Sequence, residues 1–189
     1  MSKWHKLSSK LCLVAAMTAP VCFAQTGIGP ITTQVKWAKP KVGTQSTTIA
    51  PGFTLVRIVD GSFPLENPSG PITTFGMLSD GTLTEPDQNL YVVLDKNPGG
   101  PVPGYEYGRH FLFQPHENGD GQAYVTRINL DVKDKAHKIT LLTPVGKNVE
   151  TGLSALDGST YDPFTKTLLF TQEDGGAILE MNVTWPPKP

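Results

Sequence analysis

The stretch QAYVTRINLD, residues 122–131, decides the fold class. Ala123, Val125, Arg127 and Asn129 alternate with Tyr124, Thr126, Ile128 and Leu130, so side chains divide with a period of two. One face is mostly apolar and the other mixed, which predicts a half-buried strand. The same enrichment in β-branched and aromatic residues recurs on both sides of it. FTLVRIV (53–59), NLYVVLD (89–95), RHFLFQ (109–114), HKITLLT (137–143), KTLLFTQ (166–172) and AILEMNV (177–183) all read as strands. Asp60-Gly61, Asp80-Gly81, Asp120-Gly121 and Asp157-Gly158 read as turns between them, because Gly accepts positive φ and Asp tolerates the adjoining position. No long stretch repeats apolar residues at the helical spacing without a Gly or Pro break. The expectation is an all-β chain of antiparallel strands, with NPGGPVPG (97–104) as an exposed loop that is either a spacer or a binding loop.

The N-terminus has a different composition. Residues 1–10 carry Lys3, Lys6 and Lys10 and no acid, and the apolar run LCLVAAMTAPVCFA follows. Those are the n- and h-regions of a secretory signal peptide, with cleavage expected after Ala24. The 14-residue run, interrupted by Pro20, falls short of the ~20 apolar residues that span a bilayer. The predicted organisation is a signal peptide at 1–24, an extended arm at 25–52 that orders only on docking, and a β domain at 53–189. The expected localisation is export, to the periplasm or the extracellular space, with no membrane attachment after cleavage. Cys12 and Cys22 leave with the signal, so the exported 165 residues would carry no disulfide, and 13 basic against 17 acidic side chains. That charge balance gives no basic footprint for nucleic acid.

Common catalytic signatures are missing. GLSAL (152–156) lacks the second glycine of a nucleophile elbow, and there is no phosphate loop, dinucleotide glycine pattern or HExxH. After signal cleavage His110, His116 and His137 are the only nitrogen ligands and no thiolate remains, which disfavours zinc. Two acidic strand ends stand out. His116, Glu117, Asn118 and Asp120 follow the apolar run at 110–115; Glu173 and Asp174 close the strand TLLFTQ, with Asp157 and Asp162 shortly before it. Carboxylates at several strand ends can assemble an oxygen-rich cation site, and each group read singly is also an ordinary polar turn.

The order YGRHFLFQPHENGDGQAYVTRINLD (107–131), then LDGSTYDPFTKTLLFTQEDGGAILEMNV (156–183), resembles the N-terminal part of the secreted β-propeller family that includes the PhoX-type alkaline phosphatases. In that family an Asn-His-Glu-like motif precedes a strand similar to Tyr124-Val125-Thr126-Arg127, and Gln114-Pro115-His116-Glu117 looks similar to it. The resemblance spans about residues 73–185. It implies a propeller with a calcium- and iron-dependent site for phosphate monoesters. Carried over by position, the resemblance implies Glu117 and Glu173 as metal ligands, with His116 and Asp174 in the same ligand set and His116 or Arg109 nearby to contact the substrate phosphate. The family's iron-ligating cysteine has no counterpart near Leu156-Asp157-Gly158, which disfavours iron and leaves calcium as the expected cofactor.

A propeller needs at least four blades, and 165 residues supply about three at ~40–50 residues each. The fold expectation is therefore a partial propeller of antiparallel blades, truncated at its C-terminus, with at most a partial metal site and no phosphatase activity of its own. Two alternatives stand beside it. One is a calcium-dependent phosphate monoester hydrolase completed by self-association or by a second chain that supplies the missing C-terminal half. The other is a non-enzymatic exported binding domain.

Overall fold

The structure is a computed structural model that describes residues 52–119 and 121–187. The chain divides into two compact units, Met1–Val56 and Arg57–Pro189, and every strand among the described residues belongs to the second. The expected signal peptide and nearly all of the expected arm lie outside the described residues. The second unit is all-β and antiparallel, and its only helical element among the described residues is a 3₁₀ turn at Lys135–His137. Among the described residues, no helix is long and apolar enough to cross a membrane.

The strands are β1 (Pro64–Ser69), β2 (Ile72–Thr74), β3 (Glu85–Pro86), β4 (Leu90–Val93), β5 (His110–Glu117), β6 (Tyr124–Asn129), β7 (Ile139–Leu141), β8 (Leu156–Asp162), β9 (Thr167–Gln172) and β10 (Ile178–Asn182). β1 and β2 form a hairpin, and β8, β9 and β10 form a three-stranded sheet with β9 at its centre. The largest sheet runs β3-β5-β6-β7, and β4 also pairs with β5. These sheets are open. The described residues do not form a closed propeller, so the structure supports the coarser expectation of antiparallel all-β architecture.

β6 is buried on both faces, which corrects the half-buried expectation. One face, with Val125, joins Phe111, Phe113, Leu156, Leu168, Phe170 and Met181 in a core shared with the three-stranded sheet. The other, with Tyr124 and Ile128, packs with Leu65, Ile72, Phe75, Ile139 and Leu141 beneath the hairpin. Periodicity misread the strand because Arg127 and Asn129 are polar yet wholly buried.

The Arg127 guanidinium lies 5.3 Å from the Tyr107 ring centre and 5.0 Å from that of Phe111, and donates to the Gly99 carbonyl (2.8 Å) and to Asn129 Oδ1 (3.0 Å). Its Nη1 has no partner among the described residues. Burial lowers the guanidinium pKa to about 10, still well above neutrality, so the group is charged. The buried carboxylate of Glu66 accepts from the Tyr107 hydroxyl (2.5 Å) and pairs with His137 Nδ1 (2.6 Å), tying β1 to the loop before β5 and to the 3₁₀ turn. Burial and the Glu66 bond push the Tyr107 phenol up to about 12.

Other departures have local causes. Residues 53–59 form no strand. Phe53, Leu55, Val56 and Ile58 are exposed, and among the described residues no neighbouring strand offers them a ladder. β1, with two prolines in PLENPS, escapes a pattern reading, yet the Asn67 side chain donates to the Leu141 carbonyl (2.9 Å) and accepts from the Leu141 amide (2.8 Å). That side-chain amide stands in for a backbone ladder and covers the edge of β7. Asp157-Gly158 lies inside β8, where the register with β9 shifts between Leu156 and Ser159, and does not form the expected turn. Asp60-Gly61 and Asp80-Gly81 do turn, as the bonds Phe63 N to Asp60 O and Gly81 N to Leu78 O record. The loop at 97–104 is only partly exposed: Pro98 and Gly100 are buried, and Val102, Pro103 and Gly104 form its open tip.

Gly108, at the entry to β5, has φ +86°, and a side chain there would collide with the Asp131 carboxylate. Asp131 accepts from the amides of Arg109 (2.7 Å) and His110 (3.1 Å) and from His110 Nδ1 (3.0 Å). Gly108→Ala should therefore cost about 2 kcal/mol through backbone strain and the displaced carboxylate. Urea denaturation of the purified variant measures it, and an unchanged midpoint would count against the Asp131 clasp.

Candidate functional site

The end of β5 and its neighbours gather negative charge. Glu85 of β3 pairs directly across from Glu117 of β5, an arrangement in which like charges repel. The Ala155 amide donates to the Asn118 carbonyl (3.3 Å), and the Glu173 amide to the Ala155 carbonyl (2.9 Å). These two bonds bring the end of β5 beside the end of β9, so Glu117 and Glu173, distant in sequence, come to one rim. Asp87, just after β3, and Asp157, in β8, lie close enough to interact.

The electrostatics follow from this crowding. Desolvation raises the Glu117 pKa first, and then the charges of Glu173, Glu85, Asp87 and Asp157. Asp87 is likewise raised, by desolvation and then by Asp157. Both carboxyls thus hold a proton more tightly than usual. A depression of about 300 Å³ opens beside Glu117, with Glu85, Asn118, Ser154 and Asp174 also in its wall. The Asn118 Nδ2 is buried there, with no partner among the described residues.

His116 does not join this group. Adjacent residues in a strand point to opposite faces, so His116 enters the core as Glu117 leaves it. The imidazole is fully buried, stacked on Tyr124 with ring centres 4.3 Å apart and edge-on to Phe75 at 4.7 Å. Nε2 lies 2.9 Å from Thr126 Oγ1 and Nδ1 3.3 Å from Thr84 Oγ1, which engages both nitrogens. Burial lowers its pKa to about 3, so it is neutral at ordinary pH.

Arg109 is also set apart. It precedes β5 and Glu117 ends that strand, so the eight steps between them span about 27 Å. Its Nε donates to the Leu94 carbonyl (2.8 Å), beside the Asp131 clasp, where the Arg109 and His110 bonds pull the Asp131 pKa down to about 2. Asp162 lies at the far end of β8 and caps the turn into β9 through the Phe164 amide (2.8 Å) and the Thr165 hydroxyl (2.9 Å). Asp120 lies outside the described residues.

Of the sequence-predicted residues, the structure brings Glu117, Glu173 and Asp174 to one end of the sheets and leaves His116 and Arg109 elsewhere. Glu85 and Asp87 were not anticipated. Their signal was the acidic pair in TEPDQN (84–89), ahead of the predicted strand at 89–95, but two-residue β3 is too short for a period to reveal it. Among the described residues, no three His, Cys, Asp or Glu side chains converge closely enough to enclose a metal ion. The donors present are carboxylates and an amide, a chemistry suited to a hard cation that keeps much of its water. No family model matches the chain, and no curated protein or solved structure is significantly similar to it.

Proposed function

We propose that this chain is an exported β-sheet protein, akin to the PhoX-type propeller phosphatases, that takes up calcium at the rim formed by β3, β5 and β9 and has no phosphatase activity of its own. The observation that carries this reading is the meeting of Glu85, Glu117 and Glu173, with Asp87 and Asp157 near enough to raise the Glu117 pKa further. A divalent cation would relieve that repulsion. The open carboxylate arrangement corresponds to a partial site in which water fills the remaining positions. Separation of Arg109 and His116 from the rim leaves no residue of the expected set to hold a phosphate beside the cation, which favours cation uptake over hydrolysis.

Calcium at a hundredfold excess over its Kd should stabilise the fold by about 2.7 kcal/mol, raising Tm by about 5–10 °C relative to chelator. Glu117→Gln and Glu173→Gln should each remove most of that increment. In chelator both variants should melt at or above the parent, because each removes one of the repelling charges. Equal melting with and without calcium would sink the proposal. Calcium-dependent release of a chromogenic phosphate monoester, lost in Glu117→Gln, would support instead the hydrolase completed by self-association or a second chain.

A further inference from the structure

The three-stranded sheet ends at β10, which pairs with β9 on one side only. The Gln172 amide donates to the Ala177 carbonyl (2.9 Å). Antiparallel ladders alternate, so Leu179–Phe170 and Met181–Leu168 are the next hydrogen-bonded pairs. The backbone groups of Ile178, Glu180 and Asn182 therefore point away from β9. Among the described residues no backbone group meets them. Such a row of unpaired donors and acceptors is a template for another strand.

A cleft of about 490 Å³ borders this edge. Leu179 and Met181 of β10 line it, and Val125, Leu142 and Pro144 face them from the side of the large sheet. Side chains alternate along β10, with Leu179 and Met181 turned inward while Ile178 and Glu180 stay exposed. A strand laid beside β10 would share that alternation: residues next to the one opposite Glu180 would enter the cleft with Leu179 and Met181, and that one would lie on the exposed side with Glu180, at the cleft's border.

Charge selects the occupant. Two copies paired antiparallel through the centre of β10 would set Glu180 against Glu180, and sliding the register to avoid this gives up much of a five-residue strand. Every one of the chain's 17 acidic residues lies beyond residue 51, against ten of its 16 basic ones, so this part of the chain attracts cations. We propose that β10 receives an extended segment of a partner polypeptide as a fourth strand, with Lys or Arg opposite Glu180 and flanking apolar side chains in the cleft. Backbone bonds would supply affinity; the cleft and Glu180 would supply sequence preference.

The test uses the full chain and a fluorescently labelled peptide, Val-Thr-Val-Lys-Val-Thr-Val between Gly-Ser ends, titrated by anisotropy. Saturable binding is expected, with at least tenfold weakening when the peptide lysine becomes glutamate. Ile178→Pro removes an outward N–H and leaves the β9 ladder intact, so it should also weaken binding at least tenfold with Tm close to the parent. Glu180→Lys should reverse the preference between the two peptides, a readout that loss of folding cannot imitate. Binding unaffected by either substitution would overturn the proposal. So would the absence of binding, or a dimer in sedimentation that Ile178→Pro dissociates, since β10 would then serve a second copy.

Discussion

Glu66→Ala is expected to lower unfolding stability by about 3–5 kcal/mol, the cost of removing the carboxylate from a buried charged network. Glu66 accepts from Tyr107 and His137, and its charge favours the charged form of Arg127, whose guanidinium is enclosed by Tyr107 and Phe111. Without it the phenol and imidazole lose their acceptor, and the buried cation loses a charge that favours its ionised form. Because Glu66 lies on β1, the loss would loosen the attachment of the hairpin to the large sheet. Glu66→Gln keeps an acceptor oxygen and should lose about half as much. Combined with Arg127→Met, Glu66→Ala should cost well under the sum of the two, since the second change removes the charge that the first leaves stranded. Urea denaturation at pH 7 gives all four values. A loss under about 1 kcal/mol for Glu66→Ala would show that the network contributes no more than an ordinary surface contact.

The parent protein should lose stability steeply below pH 6.5 through His116, and His116→Leu should lack that component. The imidazole titrates at about 3 in the fold against 6.5 for the unperturbed side chain. Between those values the unfolded chain binds a proton that the native state refuses. Stability from this residue is therefore fully present above pH 6.5 and falls by about 1.4 kcal/mol per pH unit down to about pH 3. Comparing pH 7 with pH 5, the parent should lose about 2 kcal/mol more than the variant. The rim carboxylates work in the opposite direction. Glu117 and Asp87 have raised native pKa values, so protonation as pH falls relieves repulsion and favours the native state. They are common to both proteins and cancel in the comparison. Equal pH slopes for parent and variant would mean that the imidazole is protonated within the fold.

The fold class was legible because strand periodicity and β-branched composition are local properties. KTLLFTQ and AILEMNV read as strands, and β9 and β10 lie within them, packing Leu168, Phe170 and Met181 inward. β1 was hidden because Pro64 and Pro68 interrupt its pattern and its tie to β7 runs through the Asn67 side chain, and residues 53–59 misled because an apolar, β-branched run does not reveal whether a neighbour exists. The rim was half legible. Glu117 and Glu173 announced themselves as acidic strand ends, but Glu85 reached the same place by a cross-strand register that no local pattern encodes.

By itself the sequence determined that this chain builds antiparallel strands, for strand formation follows from the residue types along a single segment. Tertiary structure alone decided which polar residues turn inward. Arg127 and His116 sit in strands whose alternation assigns each a face, but only the sheets packed above and below make both faces interior. It also decided that adjacent His116 and Glu117 part company while Glu117 and Glu173 meet. A strand's pleat separates neighbours in sequence, and hydrogen-bonded pairing joins residues that are far apart in it.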